Sequence, residues 1–372
     1  IRKQQINARE LFAMFMKERA NTGRIYLQNV DHCNTHGAFD PSQAPIKQSN
    51  LCMEITLPTK PLYSVQDKEG EVALCTLSAV NLGAIDSLDE LEDITDIIVR
   101  SLDSLLDYQD YPLKSAEITS SNRRTLGIGV TNLAYYLAKN DAKYSDGSGN
   151  DLIHRTFEAL QYFSLKASNE IAQEFGPCPL FSETQYAKGV MPIDSYKKDI
   201  DQFCNTELEL DWDSLRKNIQ ATGLRNSTLT ALMPCESSSQ ISNSTNGIEP
   251  PRGFISVKQS KDGILKQVVP EYEKLHKKYE LLWDIKDNEG YLQLCAIMQK
   301  FVDQSISTNT HYDPSQYDGN RVPMKLFLMD LLKAYKYGIK TLYYHTTRDG
   351  ASDGQNTTAK GDDDCEDGVC KL

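Results

Sequence analysis

Apolar residues recur at helical spacing in several stretches of the chain. Residues 5–20 carry Leu11, Phe12, Met14, Phe15 and Met16 on such a repeat and predict a buried amphipathic helix. Residues 88–109 predict a second helix, whose acidic first turn suits the helix dipole. Further helices are predicted over 123–140, 151–176, 214–223, 288–306 and 322–338, the one at 151–176 stopping at Gly176-Pro177. Short apolar runs at 72–83, 226–234 and 340–347 predict strands, and 23–60 reads as loop and short strand. No repeat of solenoid period is visible. Helices mixed with short apolar strands predict an α/β domain, part of a barrel, over residues 1–348. Beyond Arg348 the pattern ends. Residues 349–372 hold seven acids, two lysines and no aromatic side chain, which predicts a flexible acidic tail.

Composition narrows the field. The chain has 372 residues, 40% hydrophobic and 25% charged, so bulk disorder and a fibrous repeat are excluded. Its net charge of −12 argues against general nucleic-acid binding, which needs a cationic face. No apolar stretch approaches the length of a membrane helix. Nine cysteines, an odd number in a long chain without a visible export signal, predict a reducing, cytoplasmic setting with a few thiols kept for chemistry. The first residue is Ile1, and the expectation is a chain that starts inside a domain.

Five places carry candidate chemistry. In Asn50-Leu51-Cys52-Met53-Glu54, an extended backbone would put residues 50, 52 and 54 on one face. A thiol would then lie between an amide able to orient a hydroxyl and a carboxylate able to take its proton. The plainer reading is a buried strand cysteine. Cys75 sits within the apolar run at 72–83, where a thiol is commonly core. The segment Met233-Pro234-Cys235-Glu236-Ser237-Ser238 leads from a strand into a Ser-rich helix start. That suits an anion, or simply an ordinary serine cap. Tyr343-Tyr344 would stack only if the strand twists there. Cys365 and Cys370, with four residues between them in the acidic tail, can meet in a small loop and exchange disulfides, although a metal-binding or incidental pair is the alternative. His32-Cys33-Asn34-Thr35-His36 gathers three zinc-type ligands, but no second cluster lies nearby in sequence.

Taken together and in this order, these features resemble the large, catalytic subunit of class Ia ribonucleotide reductase, bacterial and phage type. SNLCMEITLPTKP resembles the family's thiyl-radical finger loop, and EVALCTLSAVNLGAI its redox-cysteine strand. LMPCESSSQISNSTNGIEPPRG resembles its substrate-phosphate segment, KTLYYHTTRDGA its radical-transfer tyrosines, and the terminal CxxxxC its tail dithiol. NVDHCNTH, RRTLGIGV, LLDYQDYP and GYLQLCAIMQKF extend the likeness over nearly the whole chain.

The resemblance implies the C-terminal part of a ten-stranded α/β barrel, of the kind shared with glycyl-radical enzymes. It implies reduction of ribonucleoside diphosphates to 2′-deoxyribonucleoside diphosphates. Cys52 would be the transient thiyl, Glu54 the base for the 3′-hydroxyl, and Asn50 its orienting amide, with Leu51 and Met53 beside the substrate. Cys75 would be one of two reducing thiols. Tyr344 and then Tyr343 would pass the radical inward from a tyrosyl–metal centre in a separate small subunit. Cys365 and Cys370 would relay electrons from thioredoxin or glutaredoxin. Pro234, Cys235, Glu236, Ser237 and Ser238 would hold the diphosphate, although Cys235 and Ser237 stand where the family pattern has Ser and Thr. No cofactor is expected within this chain. Allosteric ATP and dNTP sites, the other half-barrel and the partner of Cys75 are expected on an N-terminal half, and an oligomer is expected. A noncatalytic assembly module that works only with a separate N-terminal chain is the alternative. A glycyl-radical enzyme is a third reading, but its C-terminal glycine motif is not evident.

Overall fold

A computed structural model describes residues 5–260 and 263–348, together with the backbone of 365–366 and 369–370. Helix α1 (Ala8–Thr22) is capped by the Asn7 side chain, which accepts from the Arg9 N–H at 3.0 Å. It is followed by β1 (Leu27–Gln28), α2 (Val30–Thr35), β2 (Thr76–Asn81), α3 (Glu90–Tyr108), α4 (Lys114–Arg123), β3 (Leu126–Thr131), α5 (Leu133–Lys139) and α6 (Asn150–Phe175). After them come α7 (Trp212–Thr222), the short α8 (Glu236–Ile241), and the hairpin β4 (Ile255–Ser260) and β5 (Gly263–Val268). The series ends with α9 (Glu289–Phe301), β6 (Thr310–Tyr312), α10 (Met324–Lys336), β7 (Thr341–Leu342) and β8 (His345–Thr347).

The organising feature is a run of parallel extended segments. β2 pairs parallel with β3, and β3 is bridged to 228–232 through Ile128 and Thr230. Leu232 then bridges Ile306, and β6 pairs parallel with β8. β1 closes on β7 antiparallel. β3, Leu-Gly-Ile-Gly-Val-Thr, is buried at every position, as an inner strand of a parallel sheet should be. Helices cover this sheet. α6 packs against α3 on one side and α9 on another. α9 is buried around its whole circumference, from Tyr291 to Phe301, because it lies inside the layer. A buried ionic knot ties α3 to the sheet. Asp103 accepts from Arg124 at 2.6 Å, from Arg225 at 3.1 Å and from Asn226 at 3.0 Å. Among the described residues no helix is long and apolar enough to cross a membrane.

Several expectations change. The predicted helix over 123–140 is β3 followed by α5, because the Leu-Gly-Ile-Gly-Val run pairs into the sheet. The helix predicted over 288–306 stops at Phe301; residues 303–304 bend, Ile306 bridges Leu232, and the Thr308 carbonyl oxygen accepts from the Tyr343 N–H. α1 forms where expected but is not buried along its apolar face: Leu11, Phe12 and Met14 are exposed, and only Met16 and Arg19 are buried. α2, α4 and the β4–β5 hairpin were not predicted. The tail beyond residue 348 lies outside the described residues. The exceptions are backbone segments Cys365–Glu366 and Val369–Cys370, which pair antiparallel with Cys365 opposite Cys370.

Candidate active site

Residues 50–54 form a turn, not the extended strand expected. The Met53 N–H donates to the Asn50 carbonyl oxygen at 3.2 Å, and Met53 adopts φ +70°. A side chain in the left-handed region costs about 1–3 kcal/mol, so the surrounding contacts must hold it. They are visible. Asn50 Nδ2 donates to Glu54 Oε1 at 2.9 Å, while Asn50 Oδ1 accepts the Ile55 N–H at 3.2 Å. The turn therefore brings Asn50 and Glu54 together across Cys52, where a strand would have spread them apart. Asn50 and Leu51 are exposed, Cys52 is half-buried, and Met53 and Glu54 are buried.

The polar segment 303–308 supports this loop from below. Ser307 Oγ donates to the Cys52 carbonyl oxygen at 2.5 Å and also lies 3.3 Å from Glu54 Oε2. The Ser305 N–H donates to the Glu54 carbonyl oxygen at 2.9 Å. Burial pushes the Glu54 carboxyl above the usual carboxylate range, opposed by the bonds from Asn50 and Ser307.

Gln304 joins the loop to the second thiol. Its Oε1 accepts the Thr56 N–H at 3.2 Å, and its Nε2 lies 3.4 Å from Cys75 Sγ. Cys75 sits one residue before β2, half-buried, with no disulfide partner among the described residues. Its desolvated setting pushes the thiol up to about 12, and the negative charge of Glu54 adds to the rise. A Cβ on Gly127 would come within 2.9 Å of Cys75 Sγ, so a bare glycine in β3 makes the room this sulfur occupies.

The tyrosines approach from the opposite side. The strand predicted over 340–347 breaks into β7 and β8, with Tyr343 and Tyr344 at the break. Their ring centroids lie 4.1 Å apart at 49°, so the interruption supplies the twist that adjacent strand residues lack. Tyr343 Oη donates to Cys52 Sγ at 3.5 Å. Burial, then hydrogen bonds to Tyr344 and Cys52, push the Tyr343 phenol far above the ordinary tyrosine value, so it stays protonated near neutrality. The Tyr343 N–H donates to the Thr308 carbonyl oxygen at 2.7 Å and the Tyr344 N–H to Asn309 Oδ1 at 2.8 Å.

The Ser-rich segment follows the extended residues 228–232. Its short helix α8 begins at Glu236, as expected, with Pro234, Glu236, Ser237 and Ser238 exposed. Cys235 behaves differently. It is buried, its N–H donates to Asn246 Oδ1 at 2.8 Å, and its thiol faces the Met233 carbonyl oxygen at 3.5 Å. Burial pushes this thiol up to about 11.

Thus the structure brings together Asn50, Cys52, Glu54, Cys75, Tyr343 and Tyr344. The side chains of Cys365 and Cys370 lie outside the described residues. Sequence reading missed Gln304, which falls inside the helix predicted over 288–306, and Ser307, which lies just beyond its end. It also missed Tyr26, whose ring lies 4.6 Å from that of Tyr343 and 5.3 Å from that of Tyr344. The break in apolar periodicity at Asp303-Gln304-Ser305 was the available signal. The His32–His36 cluster is occupied with packing: His32 Nδ1 lies 3.2 Å from the Ile339 carbonyl oxygen, and His36 Nε2 lies 2.7 Å from that of Gln299.

Comparison with known proteins gives the family. The family model described as ribonucleotide reductase, barrel domain, matches residues 1–345. The chain is 65% identical over 372 residues to the ribonucleoside-diphosphate reductase subunit alpha of Haemophilus influenzae, covering all of this chain and 49% of that protein. It is 64% identical over 374 residues to the ribonucleoside-diphosphate reductase 1 subunit alpha of Escherichia coli, and 49% identical over 378 residues to the subunit alpha of Enterobacteria phage T4. In both cases it covers all of this chain and 49% of the relative. The chain therefore spans about half the length of the curated relatives it matches.

Proposed function

Because this chain belongs to the ribonucleotide reductase barrel-domain family, we propose that it carries the radical and reducing chemistry of a ribonucleoside-diphosphate reductase. In this reading it acts together with an N-terminal half and a small radical-generating subunit. The observation that carries the reading is the contact of Tyr343 Oη with Cys52 Sγ at 3.5 Å. A phenoxyl radical at Tyr343 takes the hydrogen atom of the Cys52 thiol, and the resulting thiyl takes the 3′-hydrogen of the ribose. Glu54 accepts the 3′-hydroxyl proton while Asn50 orients that hydroxyl. The 2′-hydroxyl leaves as water, taking a proton from the pair formed by Cys75 and a second thiol on the N-terminal half; that pair supplies two electrons and a hydrogen to C2′ and ends as a disulfide, and Cys52 returns the hydrogen atom to C3′.

Ser237 and Ser238, exposed at the start of α8, hold the diphosphate, with Pro234 and Glu236 beside them and Cys235 shaping the loop. Cys365 and Cys370 re-reduce the site and are reduced in turn by thioredoxin or glutaredoxin. Tyr344 receives the radical from the small subunit. The exposed apolar residues of α10, Met324, Met329, Leu332 and Tyr335, offer that subunit a docking face. Residues 1–348 act as one barrel portion and 349–372 as the redox tail.

The test is reconstitution. This chain is mixed with the N-terminal half and the small subunit, and conversion of CDP to dCDP is assayed. Cys52→Ala should bring turnover to background, whereas full activity of that variant would sink the proposal.

A further inference from the structure

Tyr26, Tyr343 and Tyr344 come from opposite ends of the chain, yet their rings form one cluster with centroids 4.1–5.3 Å apart. Aromatic packing alone tolerates several offsets and tilts, so something else must set the backbone from which these rings project. Arg19, in the last turn of α1, is only 2% exposed. Its Nη1 donates to the Tyr343 carbonyl oxygen at 2.9 Å and to the carbonyl oxygen of Ile25, the peptide leading into Tyr26. Its Nη2 lies 3.4 Å from the Tyr344 carbonyl oxygen. One guanidinium thus reaches the backbone of all three ring-bearing segments.

Among the described residues no carboxylate lies within ion-pair distance of Arg19. Taking a cation out of water without an opposite charge is costly. A side chain needed only to fill space beside Met16 and Phe327 would be apolar. What the guanidinium supplies is a rigid planar fork of donors, suited to carbonyl oxygens that converge from different strands. The cavity it lines, with Thr310, Tyr312 and Asp330, includes His345, the first residue of β8.

We infer that Arg19 is a positioning residue for radical transfer: its fork locks the backbone of Tyr26, Tyr343 and Tyr344 so that the Tyr343 hydroxyl stays against the Cys52 sulfur. This rests on the function proposed above. Hydrogen transfer depends steeply on donor–acceptor distance, and a displacement of about 1 Å can cost about a hundredfold in rate.

The experiment uses the assembled enzyme, this chain with its N-terminal half and the small subunit. Arg19→Lys keeps the charge but replaces the fork with a single ammonium. We expect kcat for CDP to fall about ten- to a hundredfold while KM stays within about twofold. Fluorotyrosine placed at position 343 should give one narrow fluorine NMR resonance in the parent and a broadened or split one in Arg19→Lys. Should the lysine variant fail to fold, Arg19→Gln, whose amide still donates two hydrogen bonds, supplies the same pair of measurements.

Unchanged kcat with an unmoved resonance overturns the inference. A lowered thermal midpoint with an unmoved resonance also overturns it, since Arg19 would then serve the fold alone. Undiminished turnover in Tyr343→Phe would instead sink the radical route itself, and the fluorine signal would still report whether Arg19 sets the ring geometry.

Discussion

Glu54 is buried beside a half-exposed thiol, and it accepts hydrogen bonds from Asn50 and Ser307. Burial raises its pKa, which fixes the sign of a pH effect. A base works only when deprotonated, so activity is lost as pH falls through the raised value. The acid limb of kcat/KM should therefore lie above the ordinary glutamate value of about 4.3. Glu54→Gln should lower turnover about 10²–10⁴-fold and remove that limb. A pH–rate profile of the reconstituted enzyme checks this, and an unaltered limb in the glutamine variant would exclude Glu54 as the base. At this scale Cys52, Glu54, Cys75 and the tyrosine pair stood out as candidates only through the family resemblance, since each taken alone also fits an ordinary core or strand position. Their geometry was not. The alternation argument placed residues 50, 52 and 54 on one strand face, whereas a turn with Met53 at φ +70° does the gathering.

Strand β3 shows how an element serves a site it does not itself supply. Its glycines leave room on both sides. A Cβ at Gly127 would stand 2.6 Å from Leu77 Cδ2 and 2.9 Å from Cys75 Sγ, and one at Gly129 would stand 2.6 Å from Met233 Sδ. Gly127→Ala should destabilise the chain by about 1–3 kcal/mol through overpacking, read as a lower denaturation midpoint. A midpoint equal to the parent's would mean that Cys75 and Leu77 move aside freely. The same strand explains the largest misreading. Leu126, Val130, Leu133 and Leu137 fall at i, i+4, i+7 and i+11 and mimic a helical repeat, although Leu126, Ile128 and Val130 also alternate with period two. Only pairing with β2 on one side and Thr230 on the other selects the strand. Likewise, 303–306 looks like the end of α9 until Thr230 and Leu232 claim its backbone.

For the whole molecule, the parallel run ends at β2, which pairs only with β3 among the described residues. Leu77 on this edge is 42% exposed, and Leu74 just before it is 41% exposed. In the proposed assembly the N-terminal half covers this edge. Leu77→Lys should leave the stability of the chain within about 0.5 kcal/mol yet abolish co-elution with the N-terminal half and the CDP reductase activity that depends on it. Undiminished co-elution would place the contact elsewhere.

The sequence by itself indicated where most helices run and, through motifs resembling a known family in their order along the chain, the family and the candidate residues for its chemistry, because apolar periodicities and short motifs are local properties. Tertiary structure decided the rest. It alone set Tyr343 against Cys52 across 291 residues, made supports of Ser307 and Gln304, and joined Tyr26 to the tyrosine pair. Such contacts arise from pairing and packing between distant segments, and no window of neighbouring residues contains them.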